Sequence, residues 1–332
     1  AKVKIYANNE VQFFEYMPTR GFQSSVSHRI HAGLGDTRKV DSVVVEWPSA
    51  SRQVIRNVKT DRILTIKEGE DLSSPNASMA DACHFSPAPN LINYQHQEYA
   101  YNDFKRQPLL MNMLTTCGPV MVTNDINQDG RADVFLGGAK GGLGKIYVQT
   151  EDGQYKEKPQ TFADNDLLTT DADATFFDAD GDGDQDLYIA SGGYQDFNPH
   201  DLLLQDRLYL NDGEGNFTFS QGALPQMFVS KSSVAPADFD GDGDQDLFVG
   251  GRVIPGQYPV APQSFLLEND GSGKFTDVIA EKLPKLQQAG MITDAVWEDL
   301  NADGLPDLIT AGEYMPIQVF LNEGGQKFRE DT

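Results

Sequence analysis

Residues 178–186 read DADGDGDQD, five aspartates in nine positions, and what such a stretch requires decides how the rest of the chain is read. Two carboxylates about 4 Å apart repel by roughly 4 kcal/mol at an effective dielectric near 20, so a compact loop of this composition needs a counter-charge. Asp178, Asp180 and Asp182 alternate with small residues, Gly183 can supply a positive φ for a tight turn, and Asp186 closes the set. All-oxygen, multi-carboxylate coordination suits Ca²⁺, because Mg²⁺ takes fewer protein ligands and keeps its waters, while Zn²⁺ favours nitrogen and sulfur. For one such stretch a solvated acidic turn is the competing reading, since Asp and Gly are common turn residues for purely local reasons.

Repetition favours the metal. The pattern recurs at 125–133 (DINQDGRAD), 238–246 (DFDGDGDQD) and 299–307 (DLNADGLPD). Its first, third, fifth and ninth positions are Asp125, Asn127, Asp129 and Asp133, then Asp178, Asp180, Asp182 and Asp186. The third copy supplies Asp238, Asp240, Asp242 and Asp246, and the fourth Asp299, Asn301, Asp303 and Asp307. Position six is Gly130, Gly183, Gly243 or Gly304, and position seven is Arg131, Asp184, Asp244 or Leu305, a scatter expected of a residue that ligates through its backbone carbonyl. The expected cofactor is therefore about four Ca²⁺, one per repeat. An EF-hand would need a bidentate Glu at position twelve and flanking helices. Leu136, Ile189, Val249 and Thr310 stand there, inside the short apolar runs DVFLGG, DLYIASGG, DLFVGG and DLITAG, which read as Gly-terminated strands.

The loops start at 125, 178, 238 and 299, a spacing long enough for one four-stranded unit. After each loop and its strand comes another strand (KIYVQ, RLYLN, SFLLEN, QVFLN), then a Gly-rich turn and an aromatic. Four strands per unit, repeated radially, describe β-propeller blades. The chain is thus expected to be all-β.

FLGGAKGG together with DINQDGRAD resembles the FG-GAP/VCBS repeat of integrin α-subunit propellers and many bacterial surface proteins. The resemblance implies Ca²⁺ in each nine-residue loop, and seven blades, three more than the four present. Residues 28–70, with HRIHAGLGD and VDSVVVEWPSASRQVIRNVKTDRILTIKEGE, are similar to the ASPIC/UnbV domain, which accompanies such repeats in cartilage acidic protein-like proteins. WPSAS has Ala50 where that family has Gly, which bears on the local turn alone. HQEYAYNDFKRQPLL and the stretches GGYQDFNPHDLLLQDRLYLNDG and GGRVIPGQYPVAPQSFLLENDG resemble large proteins of this type from Bacteroidetes.

Composition points to two domains. The net charge is −24 over 332 residues, but residues 1–70 hold 11 Lys/Arg against 8 Asp/Glu, so the remainder carries −27. We expect a small β-rich domain over 1–70, a Ser/Pro/Asn-rich linker over 71–90 and the propeller repeats over 91–332. Such negative charge excludes nucleic acid as a partner. The sequence contains no apolar run of 18 residues and no secretory leader pattern. It starts with Ala and stops after a fourth unit, and is read as a piece of a longer protein. Millimolar free calcium points to an extracellular or cell-surface setting, outer-membrane associated if the source is bacterial. Cys83 and Cys117 fit either a disulfide or two free thiols.

Candidate catalytic groups are few. His96, Glu98, Asp103 and Arg106 in HQEYAYNDFKR could do acid–base work or could pin this segment against a blade. His28 and His31, in HRIH, read as structural. No catalytic residue is assigned, and a calcium-dependent polysaccharide lyase on a propeller scaffold is the alternative to a non-enzymatic binding or adhesion protein. The second and third repeats carry extra residues, YQDFNPHD and RVIPGQYPVAPQ, with Tyr194, Phe197, His200 and Tyr258. Those aromatics either present a face to a protein or glycan ligand, for instance within an outer-membrane complex, or pack over the blade edge.

Overall fold

The computed structural model describes residues 1–332 except 9, 18, 22–23, 26–28, 50, 70–71, 74–90, 117, 164–165 and 332. His28, Ala50, Cys83 and Cys117 lie outside the described residues. The chain divides into two compact units, residues 1–88 and 89–332.

In the first unit the strands are β1 (Lys2–Ala7), β2 (Glu10–Glu15), β3 (Thr19–Gly21), β4 (Ser24–Ser25), β5 (Lys39–Glu46), β6 (Arg52–Lys59) and β7 (Leu72–Ser73). Five of them form one antiparallel sheet in the order β2-β1-β5-β6-β7, and β3 pairs with β4. Leu72 and Ser73, inside the expected linker, supply the edge strand by pairing with Gln53 and Arg52. Strand β5 reads KVDSVVVE, and its Val43 and Val45, two apart and therefore on one face, pack with Ile5, Val40 and Val58. His31 is exposed.

The second unit is four antiparallel sheets of four strands, one per repeat. Blade 1 is β8 (Met121–Asn124), β9 (Asp133–Leu136), β10 (Lys145–Gln149) and β11 (Tyr155–Lys158). Blade 2 is β12 (Asp171–Phe177), β13 (Asp186–Ser191), β14 (Arg207–Asn211) and β15 (Phe217–Phe219). Blade 3 is β16 (Ser230–Ala237), β17 (Asp246–Val253), β18 (Phe265–Asn269) and β19 (Phe275–Asp277). Blade 4 is β20 (Met291–Glu298), β21 (Asp307–Glu313), β22 (Gln318–Asn322) and β23 (Phe328–Asp331). Each acidic nonapeptide joins the first strand of its blade to the second, and strands rather than helices flank it.

The apolar runs after the loops have a packing cause. A strand covered on both faces needs no polar alternation, and successive side chains serve opposite neighbours. In β13, Leu187 and Ile189 pack toward blade 1, whereas Tyr188 and Ala190 pack toward blade 3. In β17, Leu247 and Val249 pack toward blade 2, whereas Phe248 packs toward blade 4. Among the described residues no four-stranded sheet precedes blade 1 in this unit, and Ile92 and Tyr94 of the leading segment cover Val134, Leu136 and Tyr147.

Candidate metal centres

All four loops close on their first Asp, the second and third through the amides of positions four and six, the first and fourth through those of positions five and six. The first Asp accepts two amides across the turn: Asp178 from Gly181 (2.8 Å) and Gly183 (3.0 Å), and Asp238 from Gly241 (2.7 Å) and Gly243 (3.1 Å). Asp125 accepts from Asp129 and Gly130, and Asp299 from Asp303 and Gly304. Position six has positive φ throughout, as its Gly suggests, at +81°, +91°, +101° and +89°. Position four is also left-handed, at Gln128 (+56°), Gly181 (+77°), Gly241 (+77°) and Ala302 (+61°), so two loops take that turn without glycine.

The ninth Asp is a buried tie. Asp133, Asp186, Asp246 and Asp307 are at most 1% exposed. One oxygen of each accepts from the amide of loop position two, namely Ile126, Ala179, Phe239 or Leu300. The other accepts from the last residue of the third strand, Gln149 (2.7 Å), Asn211 (2.8 Å), Asn269 (2.8 Å) or Asn322 (2.7 Å). Burial pushes Asp186 and Asp246 up to about 7, against the pull of those amides, and raises Asp133 as well.

The strand-end asparagines do a second job that sequence reading missed. Asn211 Nδ2 donates to the Ile126 carbonyl (2.8 Å), Asn269 Nδ2 to that of Ala179 (2.8 Å) and Asn322 Nδ2 to that of Phe239 (2.6 Å), each in the loop of the preceding blade. The signal was the Asn that ends RLYLN, SFLLEN and QVFLN. It is masked because Asn before a Gly-rich hairpin already has a local explanation.

Two loops gather carboxylates tightly. One oxygen each of Asp178, Asp180 and Asp182 lie within 4.8 Å of one another, and so do those of Asp238, Asp240 and Asp246. Among the described residues the first and fourth loops, with Asn127 and Asn301, bring no such trio together. In those loops the Asn oxygen accepts from the amide of Asp129 (3.2 Å) or Asp303 (2.8 Å). Asp182 and Asp242 accept the amides of Asp184 and Asp244, and Asp129 and Asp303 those of Arg131 and Leu305. At position seven the side chains differ in role. Arg131 pairs with Asp129 and donates to the Gln149 carbonyl, while Asp184 accepts from Gln128 of the first loop. Asp180 Oδ1, Asp240 Oδ1 and Asp244 Oδ1 are buried with no hydrogen-bond partner. Buried, unpartnered carboxylate oxygens in a cluster are costly alone and fit a cation. Burial and neighbouring aspartates raise Asp180 and Asp240, and push Asp244 up to about 6.

Two family models match the chain, ASPIC and UnbV over residues 1–73, and the FG-GAP-like repeat over residues 125–189 and 178–249. The chain carries an ASPIC/UnbV domain and FG-GAP-like repeats. The matched repeats contain the first three loops, and the fourth extends the pattern beyond them. Among solved structures, the crystal structure of the V. cholerae biofilm matrix protein Bap1 aligns with a TM-score of 0.32 and 17% identity, over 65% of this chain and 30% of that one. No curated protein sequence matches.

Most of the remaining candidates in the FG-GAP-like unit are engaged in hydrogen bonds or packing. Helix α1 (Asp103–Arg106) is held where buried Asp103 accepts the amides of Leu114 (2.6 Å) and Thr115 (2.8 Å). Arg106 donates to the carbonyls of Tyr194, Gln195 and Phe197, at 3.0, 2.8 and 2.7 Å. Gln107 binds the backbone of Tyr258 at both its N–H and its C=O. His96 Nδ1 meets the Tyr94 hydroxyl (3.0 Å) and its Nε2 lies 3.4 Å from Glu98. Asp103 and Arg106 therefore pin the leading segment, while His96 and Glu98 face each other within it. Tyr194, Phe197 and Tyr258 are buried at 0%, 1% and 9% exposure, packed rather than displayed, and His200 is exposed. Among the described residues no helix is long and apolar enough to cross a membrane.

Proposed function

We propose that this protein is a calcium-stabilised binding or adhesion module of the extracellular space or cell surface, outer-membrane associated if its source is bacterial, and not an enzyme. One observation carries the calcium reading: the same oxygen-rich loop recurs at the same place in four blades, with unpartnered buried oxygens in the two most acidic copies. Positions one, three, five and nine of each loop would hold the ion, with the carbonyl of position seven. Bound Ca²⁺ would supply charge cancellation among the carboxylates. Because the ninth Asp ties position two to the third strand, and the following blade's Asn grips position two, ordering a loop also orders a joint between blades. The partner is proposed to be a protein or a glycan, and its chemistry rests on no residue named above.

The test is calorimetric titration with Ca²⁺ after EDTA stripping, with a melting scan of each form. About four equivalents and a large rise in melting temperature are expected, since a ligand at a hundred times its Kd adds about 2.7 kcal/mol per site. No binding, or one site unlike the rest, overturns the reading. A glycan array on the loaded protein separates sugar from protein ligands, and an unsaturated-product assay on acidic polysaccharides detects a lyase.

A further inference from the structure

The second and third loops, DADGDGDQD and DFDGDGDQD, differ only at position two, where Ala179 is replaced by Phe239. Their ligand positions are identical, and their first, fifth and ninth aspartates accept the same amides. Their surroundings differ in an ion pair, Lys282 with Glu268, beside the third loop. Lys282, the last residue of α2 (Ile279–Lys282), is 9% exposed, and its Nζ lies 3.5 Å from Asp240 Oδ2. The same ammonium pairs with Glu268 Oε2 and sits 4.7 Å from the centre of the Phe239 ring.

That seat is peculiar to the third repeat. Where Glu268 stands next to last in its strand, the other blades have Val148, Leu210 and Leu321. The one residue that distinguishes the two loops supplies the ring over which the ammonium lies, a contact Ala179 cannot make. Among the described residues no Lys, Arg or His forms an ion pair with a carboxylate of the second loop.

We propose that Lys282 is a resident counter-cation of the third loop, shared between Asp240 and Glu268, which makes that loop bind Ca²⁺ more weakly than the second and holds it together when calcium is scarce. The proposal rests on the calcium reading above. An ammonium beside Asp240 offsets carboxylate repulsion without a metal, and it repels a divalent ion arriving at the same cage. Entry of Ca²⁺ obliges Lys282 to give up Asp240 and rely on Glu268 and the Phe239 ring. Glu268 thus sets how readily the ammonium lets go. The two loops load in order, the second before the third.

The experiment is calcium calorimetry and a melting scan in EDTA on the full 332-residue chain, as wild type, Lys282→Met, Glu268→Gln and, to locate the second loop, Asp180→Asn. Lys282→Met is expected to tighten one of the weaker equivalents by about tenfold, which corresponds to 1.4 kcal/mol, and to lower the melting temperature in EDTA. Glu268→Gln is expected to weaken the same equivalent, because the ammonium then leans wholly on Asp240. Asp180→Asn weakens a different, tighter equivalent. A purely structural lysine would lower the melting temperature with and without calcium and leave the isotherm unchanged, and that result overturns the proposal. If Lys282→Met does not fold, the isotherm of Glu268→Gln decides alone: an unchanged or tighter equivalent overturns it. Failure of the wild type to bind Ca²⁺ at all sinks the underlying calcium reading instead, and is distinguishable for that reason.

Discussion

The first three loops and the fourth share one nine-position pattern and differ in what covers them. Position two is 1%, 1% and 0% exposed at Ile126, Ala179 and Phe239, but 47% exposed at Leu300. In the first three, an Asn of the following blade holds the carbonyl of that residue. Among the described residues no sheet follows the fourth blade. The contrast teaches that an acidic loop here is half of a joint, with an oxygen-rich turn from one repeat and an asparagine clasp from the next.

The comparison breaks most readily at position two. Ile126→Ala removes a side chain packed between blades 1 and 2 and is expected to cost about 2–5 kcal/mol. Leu300→Ala removes an exposed one and should stay within about 0.5 kcal/mol. Urea denaturation in excess calcium measures both, and equal losses would mean that the fourth loop is covered as the others are.

The clasp comes next. Asn269→Ala removes bonds to the carbonyls of Ala179 (2.8 Å) and Gln245 (3.2 Å), and should cost about 1–3 kcal/mol because acceptors are left buried. Gln149 ends the third strand of blade 1, before which no acidic loop stands among the described residues, and Gln149→Ala is expected to cost less than about 0.5 kcal/mol. A similar loss at both positions would show that the asparagine serves only its own hairpin.

Much of this architecture was legible in the residues. The nonapeptide, the strand that follows and the hairpin turn are each set by short local stretches, where spacing and turn preference carry information, and the recurrence is legible by laying four such stretches side by side. The joint was not legible, because Asn269 and Ala179 meet 90 positions apart. The same limit hid Lys282, whose partners Asp240 and Glu268 lie 42 and 14 positions earlier. It also hid the fate of Tyr194 and Tyr258: aromatic residues in a polar, Pro-rich stretch suit a ligand face and a packed edge equally. Arg106 and Gln107, from the leading segment, settle that ambiguity by binding their backbones. Ala302 concealed its left-handed turn, since only Gly advertises one in sequence.

A weaker lever is pH, which acts on the covered loops through their buried ninth carboxylates. Asp186 and Asp246 are raised by burial from 3.8 to about 7, so without calcium the native state keeps protons that the unfolded chain releases near pH 4. Their contribution to stability is full below the unfolded value and lost as pH rises through about 7. The melting temperature in EDTA should therefore fall between pH 5 and pH 8. Calcium needs the ionised form, so binding near pH 6.5 should release protons, seen as a binding enthalpy that changes with the buffer's ionisation enthalpy. A flat melting profile in EDTA, or no buffer dependence, would show that these carboxylates are already ionised.

The smallest effect sharpens the comparison at position four, where the backbone is left-handed whether or not a following blade helps to hold it. Gly241 in the third loop has φ of +77°, and a Cβ there would meet nothing within 4 Å, so Gly241→Ala tests conformation without a clash. Ala302 in the fourth loop has φ of +61° and already bears that strain. Gly241→Ala is expected to lose about 1 kcal/mol, and Ala302→Gly to gain somewhat less than that, because the unfolded chain also gains freedom from the glycine. Both are read from melting in saturating calcium. If Ala302→Gly destabilises, unfolded-chain entropy outweighs the relief of strain, and the fourth loop tolerates its alanine because the open turn carries little load.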